Sequence, residues 1–246
     1  EDQARGRSDT MVLVQADPAV GEIRALSFLR DLYVPIPGCG TTRLNAAYSF
    51  GGESLLKTAL KNNFGVEVDR TATVSFDSLC RIVDALGGVD MEVTEPEREQ
   101  LNGILAAYNR GLGLNPGDGR LSGSGTVHLT GKQALSYSRI RKIDSDFQRA
   151  GRQQKVLQAM LESAKQMNFF MLARLAWTCL REVRTDLTLG DLNALLPLAA
   201  GGGETNISMG RVPFDGAYED ATIDGMQVLR PDLERNRTLI RRFLSN

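Results

Sequence analysis

The chain has 246 residues, of which 42% are hydrophobic and 24% charged, and its formal net charge at pH 7 is −1. This composition predicts a folded globule with a sizeable core, and the lack of a basic surplus argues against a general nucleic-acid binder. Three scattered cysteines, Cys39, Cys80 and Cys179, exclude a disulfide framework but leave a single pair open. The one histidine, His128, excludes a multi-histidine metal site.

No stretch of the sequence is predicted to be a signal peptide or a membrane span. The longest apolar stretch, residues 169–180, is interrupted by Arg174 and is shorter than the ~20 residues that cross a bilayer. The polar first residues lead directly into a predicted strand, so we expect the chain to begin partway along a longer protein. A membrane anchor upstream would then lie outside this chain.

The first half of the chain alternates predicted strands and helices. The predicted strands are 10–15, whose continuous apolar run suggests burial on both faces, its hairpin partner 22–27, then 32–36, 66–76 and 89–93. A helix is predicted over 53–64, after the paired glycines Gly51 and Gly52, and a second helix starts from Asp77 as N-cap. Residues 94–118 are polar and carry no clear pattern, and 119–129 suggests a hairpin or an irregular segment.

The second half of the chain is richer in predicted helices. Helices are predicted over 131–137, 146–166, 169–183, 189–198 and from Pro231 to 244, a strand over 207–212, and a hairpin over 218–228. Asp224 and Gly225 suit the tight turn of that hairpin. Strands interleaved with helices predict an α/β fold with a central mixed β-sheet flanked by helices. We expect one domain over residues 1–246.

A cluster of arginines between residues 138 and 153 is the strongest candidate for a binding site. The arginines are Arg139, Arg141, Arg149 and Arg152. Arginine keeps its charge and offers a planar fork of donors that suits phosphate. Arg139 and Arg141 would share a face of an extended segment, and Arg149, Arg152 and Gln153 would share a face near a helix N-terminus, where free N–H groups attract anions. These features suit a pyrophosphate, and the alternative is a solvated surface of ion pairs.

Other polar residues stand where predicted strands begin or end. Asp9, two residues after Arg7, precedes the first strand and could hold Mg²⁺, which prefers a few carboxylates with phosphate oxygens and water. Arg30 and Asp31 follow the second strand, a position that often binds ligands in α/β sheets. Arg43 precedes the double glycine. The alternatives are a turn cap for Asp9 and a surface ion pair for Arg30.

The predicted helix at 169–183 is apolar around more than one face, with Phe169, Phe170, Leu172 and Trp177 among its residues. A helix that is apolar all round is normally part of a core. A tunnel for a lipid tail is the alternative, because flexible apolar side chains adapt to irregular ligands.

Five motifs in this order resemble the LytR-CpsA-Psr family. They are RSDTM at 7–11, SFLRD at 27–31, RLNAAY with Gly-Gly at 43–52, VDALGGV at 83–89, and LSYSRIR with DFQRAGRQ at 135–153. The motifs cover about Arg7 to Leu161, and the rest of the chain matches loosely.

The resemblance implies an α/β domain with an apolar lipid-binding pocket, anchored to the cell membrane and located on its extracytoplasmic face. It implies a phosphotransferase that moves a glycopolymer from a polyprenyl pyrophosphate carrier to a peptidoglycan acceptor in cell wall assembly, with Mg²⁺ as cofactor and no nucleic acid as partner. Asp9 matches the metal-linked aspartate of the family. The implied pyrophosphate ligands are Arg7, Arg30, Arg43, Arg139, Arg141, Arg149, Arg152 and Gln153.

The motifs and the chemistry of transfer assign catalytic roles to Arg30, Arg139, Arg141 and Asp146. The arginines would neutralise charge on the phosphates, and a carboxylate should accept the proton of the attacking hydroxyl. Asp146 is the first choice for that base and Asp31 the second. Two departures from the family stand out: its upstream Gly-x-Asp motif is absent from this chain, and Phe28-Leu29 stands where Ile-Pro is usual. A pyrophosphatase and a non-catalytic polyprenyl-phosphate-binding or regulatory module are the alternatives.

Overall fold

The structure is a computed structural model that describes residues 6–140, 146–199 and 206–245. The strands are β1 Met11–Asp17, β2 Glu22–Phe28, β3 Tyr33–Ile36, β4 Gly40–Arg43, β5 Ala72–Val74, β6 Val89–Val93, β7 Gly125–Leu129, β8 Val183–Thr185, β9 Asn206–Val212, β10 Tyr218–Ile223 and β11 Met226–Pro231. The helices are α1 Asn45–Phe64, α2 Phe76–Ala85, α3 Glu95–Gly111, α4 Gly131–Ser138, α5 Asp146–Lys165, α6 Phe169–Glu182, α7 Leu189–Ala199 and α8 Leu233–Ser245.

The chain forms two compact units. The first comprises Glu1–Thr71 and Leu187–Asn246, and the second comprises Ala72–Asp186. The family motifs are divided between them, since 7–11, 27–31 and 43–52 fall in the first unit and 83–89 and 135–153 in the second.

The first unit is built on a mixed sheet in the order β1-β2-β9. β1 pairs antiparallel with β2, with Met11 opposite Phe28, and β2 pairs parallel with β9, with Phe28 opposite Val212. Helix α8 packs on β9, where an added Cβ at Gly210 would meet the Phe243 ring at 3.1 Å. Hairpins β3-β4 and β10-β11 complete the unit. The predicted mixed α/β fold is confirmed.

The second unit surrounds the antiparallel pair β6-β7 with helices. Its core joins β6 and β7 to α2, α3, α4 and α5 through fully buried side chains that include Val83, Leu101, Tyr137 and Ile140. The short strands β5 and β8, which lie near the two sequence ends of the unit, pair antiparallel with each other. The segment 131–140 is therefore fixed inside a core, which determines where Arg139 lies.

Most predicted elements are present, but α1 begins at Asn45 instead of residue 53, and some predictions were wrong. Strand β1 is not buried on both faces, since it is an edge strand and Val14 is 55% exposed. Within 66–76 only β5 is a strand, and the N-cap of α2 is Ser75, whose hydroxyl accepts from Ser78 N at 3.1 Å. Pro231 ends β11 instead of opening α8.

The largest omission concerns α3, which occupies most of the segment left without a prediction. Thr94 caps this helix, and a capping box joins Thr94 to Glu97, with Pro96 in the first turn. This Thr-x-x-Glu signal was present in the sequence. The polar composition of the segment concealed it, because only one side of α3 faces the core, through Leu101 and Leu105.

The three cysteines are free thiols. Cys39 is exposed, Cys80 is buried and Cys179 is half-buried. Burial and the neighbouring carboxylates raise the pKa of Cys80 to about 11, so its unreactive thiol form dominates at neutral pH.

Candidate functional site

Arg30 and Asp31 lie in a tight turn that the backbone holds from several sides. β2 ends at Phe28, Leu29 N donates to Val212 O at 2.9 Å, and Leu32 N donates to Leu29 O at 3.3 Å. The carbonyl of Asp31 accepts from Leu229 N at 3.0 Å. Leu32 is completely buried. The turn is thus fixed by β-sheet pairing and core burial, and its two charged side chains leave a rigid backbone.

The side chains around this turn form an ion-pair cluster of Asp9, Arg30, Asp31 and Arg43, which we call the Asp31 cluster. Arg30 Nη1 donates to Asp9 Oδ1 at 3.0 Å, and Arg30 Nε donates to Asp31 Oδ2 at 3.0 Å. Arg43 Nη1 donates to the other oxygen, Asp31 Oδ1, at 3.0 Å. The structure therefore brings together three residues that were predicted from separate motifs, Asp9, Arg30 and Arg43.

Within the Asp31 cluster, the carboxylate of Asp31 is buried and the other three side chains are more accessible to solvent. The side chain of Asp31 is 8% exposed, whereas those of Arg30, Arg43 and Asp9 are 17%, 23% and 31% exposed. Asp31 orients both guanidinium groups from the inside, which is the arrangement that pre-organises arginines for an anion. Both Asp31 oxygens already accept hydrogen bonds, which favours this orienting role over that of a base.

The chemistry at Asp9 fits a magnesium ion in one respect. Ser8 Oγ, on the preceding residue, is buried and finds no hydrogen-bond partner among the described residues. Within those residues no group of three His, Cys, Asp or Glu side chains is placed to hold a metal. Mg²⁺ needs few protein ligands when phosphate oxygens and water supply the others. The donor set therefore fits a metal held by Asp9 together with a phosphate ligand.

Arg139 ends α4 in the second unit. Its backbone, with φ −100° and ψ 1°, is the C-cap of that helix, so the expected extended conformation at this residue was wrong. The guanidinium carbon lies 4.8 Å from the ring centroid of Phe76, the first residue of α2. This cation–π contact holds a half-buried arginine in a defined direction.

Arg152 lies inside the second unit. It is 3% exposed, Nη2 donates to the Ile140 carbonyl at 3.0 Å, and Nη1 lies 3.8 Å from Glu97 Oε1. Glu97 was not among the predicted site residues. Its only signal in the sequence was the capping box with Thr94, which gives no indication of a second partner about fifty positions later.

For the remaining predicted site residues, the structure gives at most the exposure of the side chain. Arg7 is exposed, and Gln153 is half-buried on α5. Arg141 lies outside the described residues, as do the side chains of Asp146 and Arg149. Their assignments, and the roles of all the predicted ligands, stay predictions.

Helix α6 divides into two faces, so the prediction that it is core holds for one of them. Leu172, Leu175 and Cys179 pack against a buried cluster that includes Ile82 of α2. On the opposite side, Phe170, Trp177 and Leu180 are 81%, 64% and 65% exposed. The lipid tunnel stays a prediction. A hollow of about 290 Å³ in the first unit, lined by residues that include Lys57, Lys61 and Glu67, contains none of the predicted site residues.

No described helix is both long and apolar enough to cross a membrane. The chain is 33% identical, over 77% of its length, to the polyisoprenyl-teichoic acid–peptidoglycan teichoic acid transferase TagU of Halalkalibacterium halodurans. It is 30% identical, over 99% of its length, to the regulatory protein MsrR of Staphylococcus aureus, of which it covers 72%. The chain spans 58% of the length of that TagU and 49% of the length of TagV from Bacillus subtilis.

The fold of the chain is similar to the folds of solved structures. The structure of TagT bound to LIIa-WTA superposes with a TM-score of 0.76 at 25% identity, covering 98% of this chain and 86% of that one. The model of the LytR_cpsA_psr family matches residues 1–242. The chain therefore belongs to the LytR_cpsA_psr family.

Proposed function

We propose that this chain is the catalytic part of a phosphotransferase that moves a glycopolymer from a polyprenyl pyrophosphate carrier to peptidoglycan. The Asp31 cluster is the observation that carries the proposal. It holds two arginines in fixed directions at the end of β2, through a carboxylate that is itself buried. Relatives named as teichoic acid transferases support the same reaction class. The proposed location is the extracytoplasmic face of the membrane.

In the proposed reaction, a hydroxyl oxygen of the acceptor attacks the phosphorus of the sugar-linked phosphate. The bond from that phosphorus to the bridging oxygen breaks, and polyprenyl phosphate leaves with the electron pair. Arg30 in the first unit and Arg139 in the second are each a proposed ligand that neutralises charge on the phosphates, since phosphoryl transfer depends on positioning and charge stabilisation more than on covalent help. The hydroxyl proton passes to a carboxylate, for which we propose Asp146.

Asp9 would hold Mg²⁺ in this reaction. The ion, when bound, supplies positive charge to the phosphate oxygens. Arg30, which donates to Asp9 Oδ1 in this structure, would fix the orientation of that carboxylate.

The test uses a synthetic polyprenyl-pyrophosphate-linked saccharide, with and without soluble peptidoglycan fragments. Polyprenyl phosphate should be released and the saccharide phosphate should become attached to the fragments, as measured by mass spectrometry. Release at the same rate without fragments would instead identify the pyrophosphatase alternative. Binding of the substrate without any release would overturn the enzymatic proposal.

A non-catalytic, regulatory role is the second candidate. The relative that is named a regulatory protein matches almost the whole chain, at 30% identity. The same experiment separates the two candidates, because a regulator would bind the lipid-linked saccharide and return it unchanged.

A further inference from the structure

The buried arginine of the second unit belongs to a network that extends over three helices. Glu97 on α3 accepts two hydrogen bonds at Oε2, from Thr94 N and Thr94 Oγ1, both at 3.0 Å. Its other oxygen, Oε1, accepts from the hydroxyl of Tyr137 on α4 at 3.2 Å and faces Arg152 Nη1 of α5 at 3.8 Å. Glu97, Tyr137 and Arg152 are 9%, 0% and 3% exposed. The carboxylate is fixed by the cap of its own helix and in turn fixes Arg152.

Arg152 transmits this position to the end of α4. Its Nη2 donates to the carbonyl oxygen of Ile140 at 3.0 Å, and Ile140 is completely buried. Ile140 directly follows Arg139, the C-cap of α4. This hydrogen bond restrains the backbone at Ile140, one residue after Arg139, and so limits the positions that the backbone of Arg139 can take.

The guanidinium end of Arg139 is held by a separate contact. Its central carbon lies 4.8 Å from the centroid of the Phe76 ring, which is 41% exposed. An aromatic face orients a guanidinium plane without using its N–H groups, which can then donate to an anion. Arg139 is therefore positioned at its backbone by Arg152 and at its head by Phe76.

We propose that Glu97, Arg152, Tyr137 and Phe76 are positioning residues for Arg139, and that Arg152 acts through this network instead of contacting the pyrophosphate. The inference rests on the proposed function, because it assigns Arg139 a pyrophosphate ligand. It replaces the ligand role that the sequence motif implied for Arg152.

The sign of the effect of neutralising Glu97 distinguishes the two roles. By Coulomb attraction alone, removal of a negative charge should strengthen the binding of a pyrophosphate. A positioning role predicts the opposite, because a neutral amide would no longer hold Arg152 and the Ile140 carbonyl. Glu97→Gln should therefore weaken the binding of geranyl pyrophosphate at least tenfold, as measured by calorimetry.

Glu95→Gln is the matched control. Glu95 lies in the same first turn of α3, but it is exposed, and its carboxylate pairs with the side chain of Arg98 instead of Arg152 or Tyr137. This variant should bind geranyl pyrophosphate within twofold of the wild type. A Glu97→Gln protein that folds and binds as tightly as the wild type, or more tightly, would overturn the proposal.

Three further substitutions, at Phe76 and Tyr137, test the network if Glu97→Gln does not fold. Phe76→Leu keeps an apolar side chain but loses the aromatic face, and it should weaken binding at least threefold, while Phe76→Tyr should stay within twofold. Tyr137→Phe removes only the hydroxyl donor and should also weaken binding. Equal affinities of Phe76→Leu and Phe76→Tyr, with unchanged Tyr137→Phe, would contradict the network.

Hydrogen–deuterium exchange separates this proposal from the proposed function. Exchange in a peptide that contains Arg139 and Ile140 should accelerate in Glu97→Gln and Tyr137→Phe and stay unchanged in Glu95→Gln. The exchange measurement needs no ligand. A wild-type protein that fails to bind geranyl pyrophosphate would refute the proposed function, and the exchange rates would still test the network. Unchanged exchange in both network variants would refute the network.

Discussion

Asp31 and Arg43 form a hydrogen-bonded ion pair at 3.0 Å, and the second carboxylate oxygen of Asp31 binds Arg30 at the same distance. Asp31→Asn should lower the free energy of unfolding by about 1–3 kcal/mol. The loss falls below that of a fully buried pair because both arginines reach solvent. Urea denaturation measures it. Asp215→Asn, at an exposed pair with Arg211, is the control and should change stability by less than about 0.5 kcal/mol.

Arg139→Ala and Arg141→Ala should each abolish transfer and leave the fold intact, because the arginines act on the substrate. Arg139→Lys should also transfer poorly, since a lysine cannot reproduce the bidentate fork. Turnover of the lipid-linked saccharide and circular dichroism measure these two properties. Arg110→Ala, at an exposed position of α3, is the control. Wild-type turnover in both alanine variants would remove these arginines from the site.

Asp9→Asn should weaken the response of the protein to magnesium. We expect the variant to need a higher Mg²⁺ concentration for transfer, and to lose the Mg²⁺-dependent gain in affinity for geranyl pyrophosphate. Calorimetry with and without a chelator measures the gain independently of turnover. If Mg²⁺ raises the affinity of the variant and the wild type equally, Asp9 does not hold the ion.

Gly131→Ala should destabilise the second unit strongly. An added Cβ would lie 2.1 Å from the carbonyl oxygen of Cys80, a backbone atom that cannot move aside, so we expect a loss above about 2 kcal/mol. Gly103→Ala is the matched control at an exposed position of α3, where nothing lies within 4 Å of the added Cβ. That change should stabilise the helix by up to ~1 kcal/mol. Thermal melts compare the two variants, and similar melting temperatures would contradict the packing of α4 on α2.

His128 should make stability fall as the pH rises above 6.5. Its Nδ1 lies 2.7 Å from Asp90 Oδ1 and its Nε2 lies 2.8 Å from Gly87 O, so the doubly protonated ring donates to both. The hydrogen bond to Asp90 raises the pKa of His128 above its ordinary value of 6.5. A raised folded-state pKa adds stability that is complete below the unfolded-state value and is lost as the pH rises through the folded one.

The size of this pH effect is limited by exposure. The side chains of His128 and Asp90 are 58% and 76% exposed, so solvent screens the pair and its contribution should stay below about 1 kcal/mol. The difference in unfolding free energy between wild type and His128→Gln should be larger at about pH 5.5 than at about pH 8.5. An equal difference at both pH values would exclude protonation of His128 as its source.

Sequence patterns predicted the elements whose signals are local. The turn at Asp224-Gly225 is one, because both residues take positive φ angles of 50° and 74°, as the tight turn requires. The break at Gly51-Gly52 is another, since Gly52 takes a φ of 63°. Helix α4 and the pairing of β1 with β2 as a hairpin were also predicted from the sequence.

The site was only partly predictable, because its contacts join residues that are far apart in sequence. Motifs singled out Asp9, Arg30 and Arg43, but only the fold shows that the buried Asp31 links the two arginines. The burial of Arg152 could not be predicted from the sequence, because an arginine on a helix as rich in polar residues as α5 is expected to be exposed. That burial depends on Glu97, whose helix was itself missed.

The order of strands β1-β2-β9 has a consequence for biosynthesis. The parallel neighbour of β2 is encoded after the entire second unit, so a growing chain exposes the free edge of an early hairpin until Asn206–Val212 has been translated. Exposed strand edges are templates for aggregation. A premature stop after Asp186 and before Asn206 should therefore yield an insoluble fragment, even though every residue of the second unit would already be present.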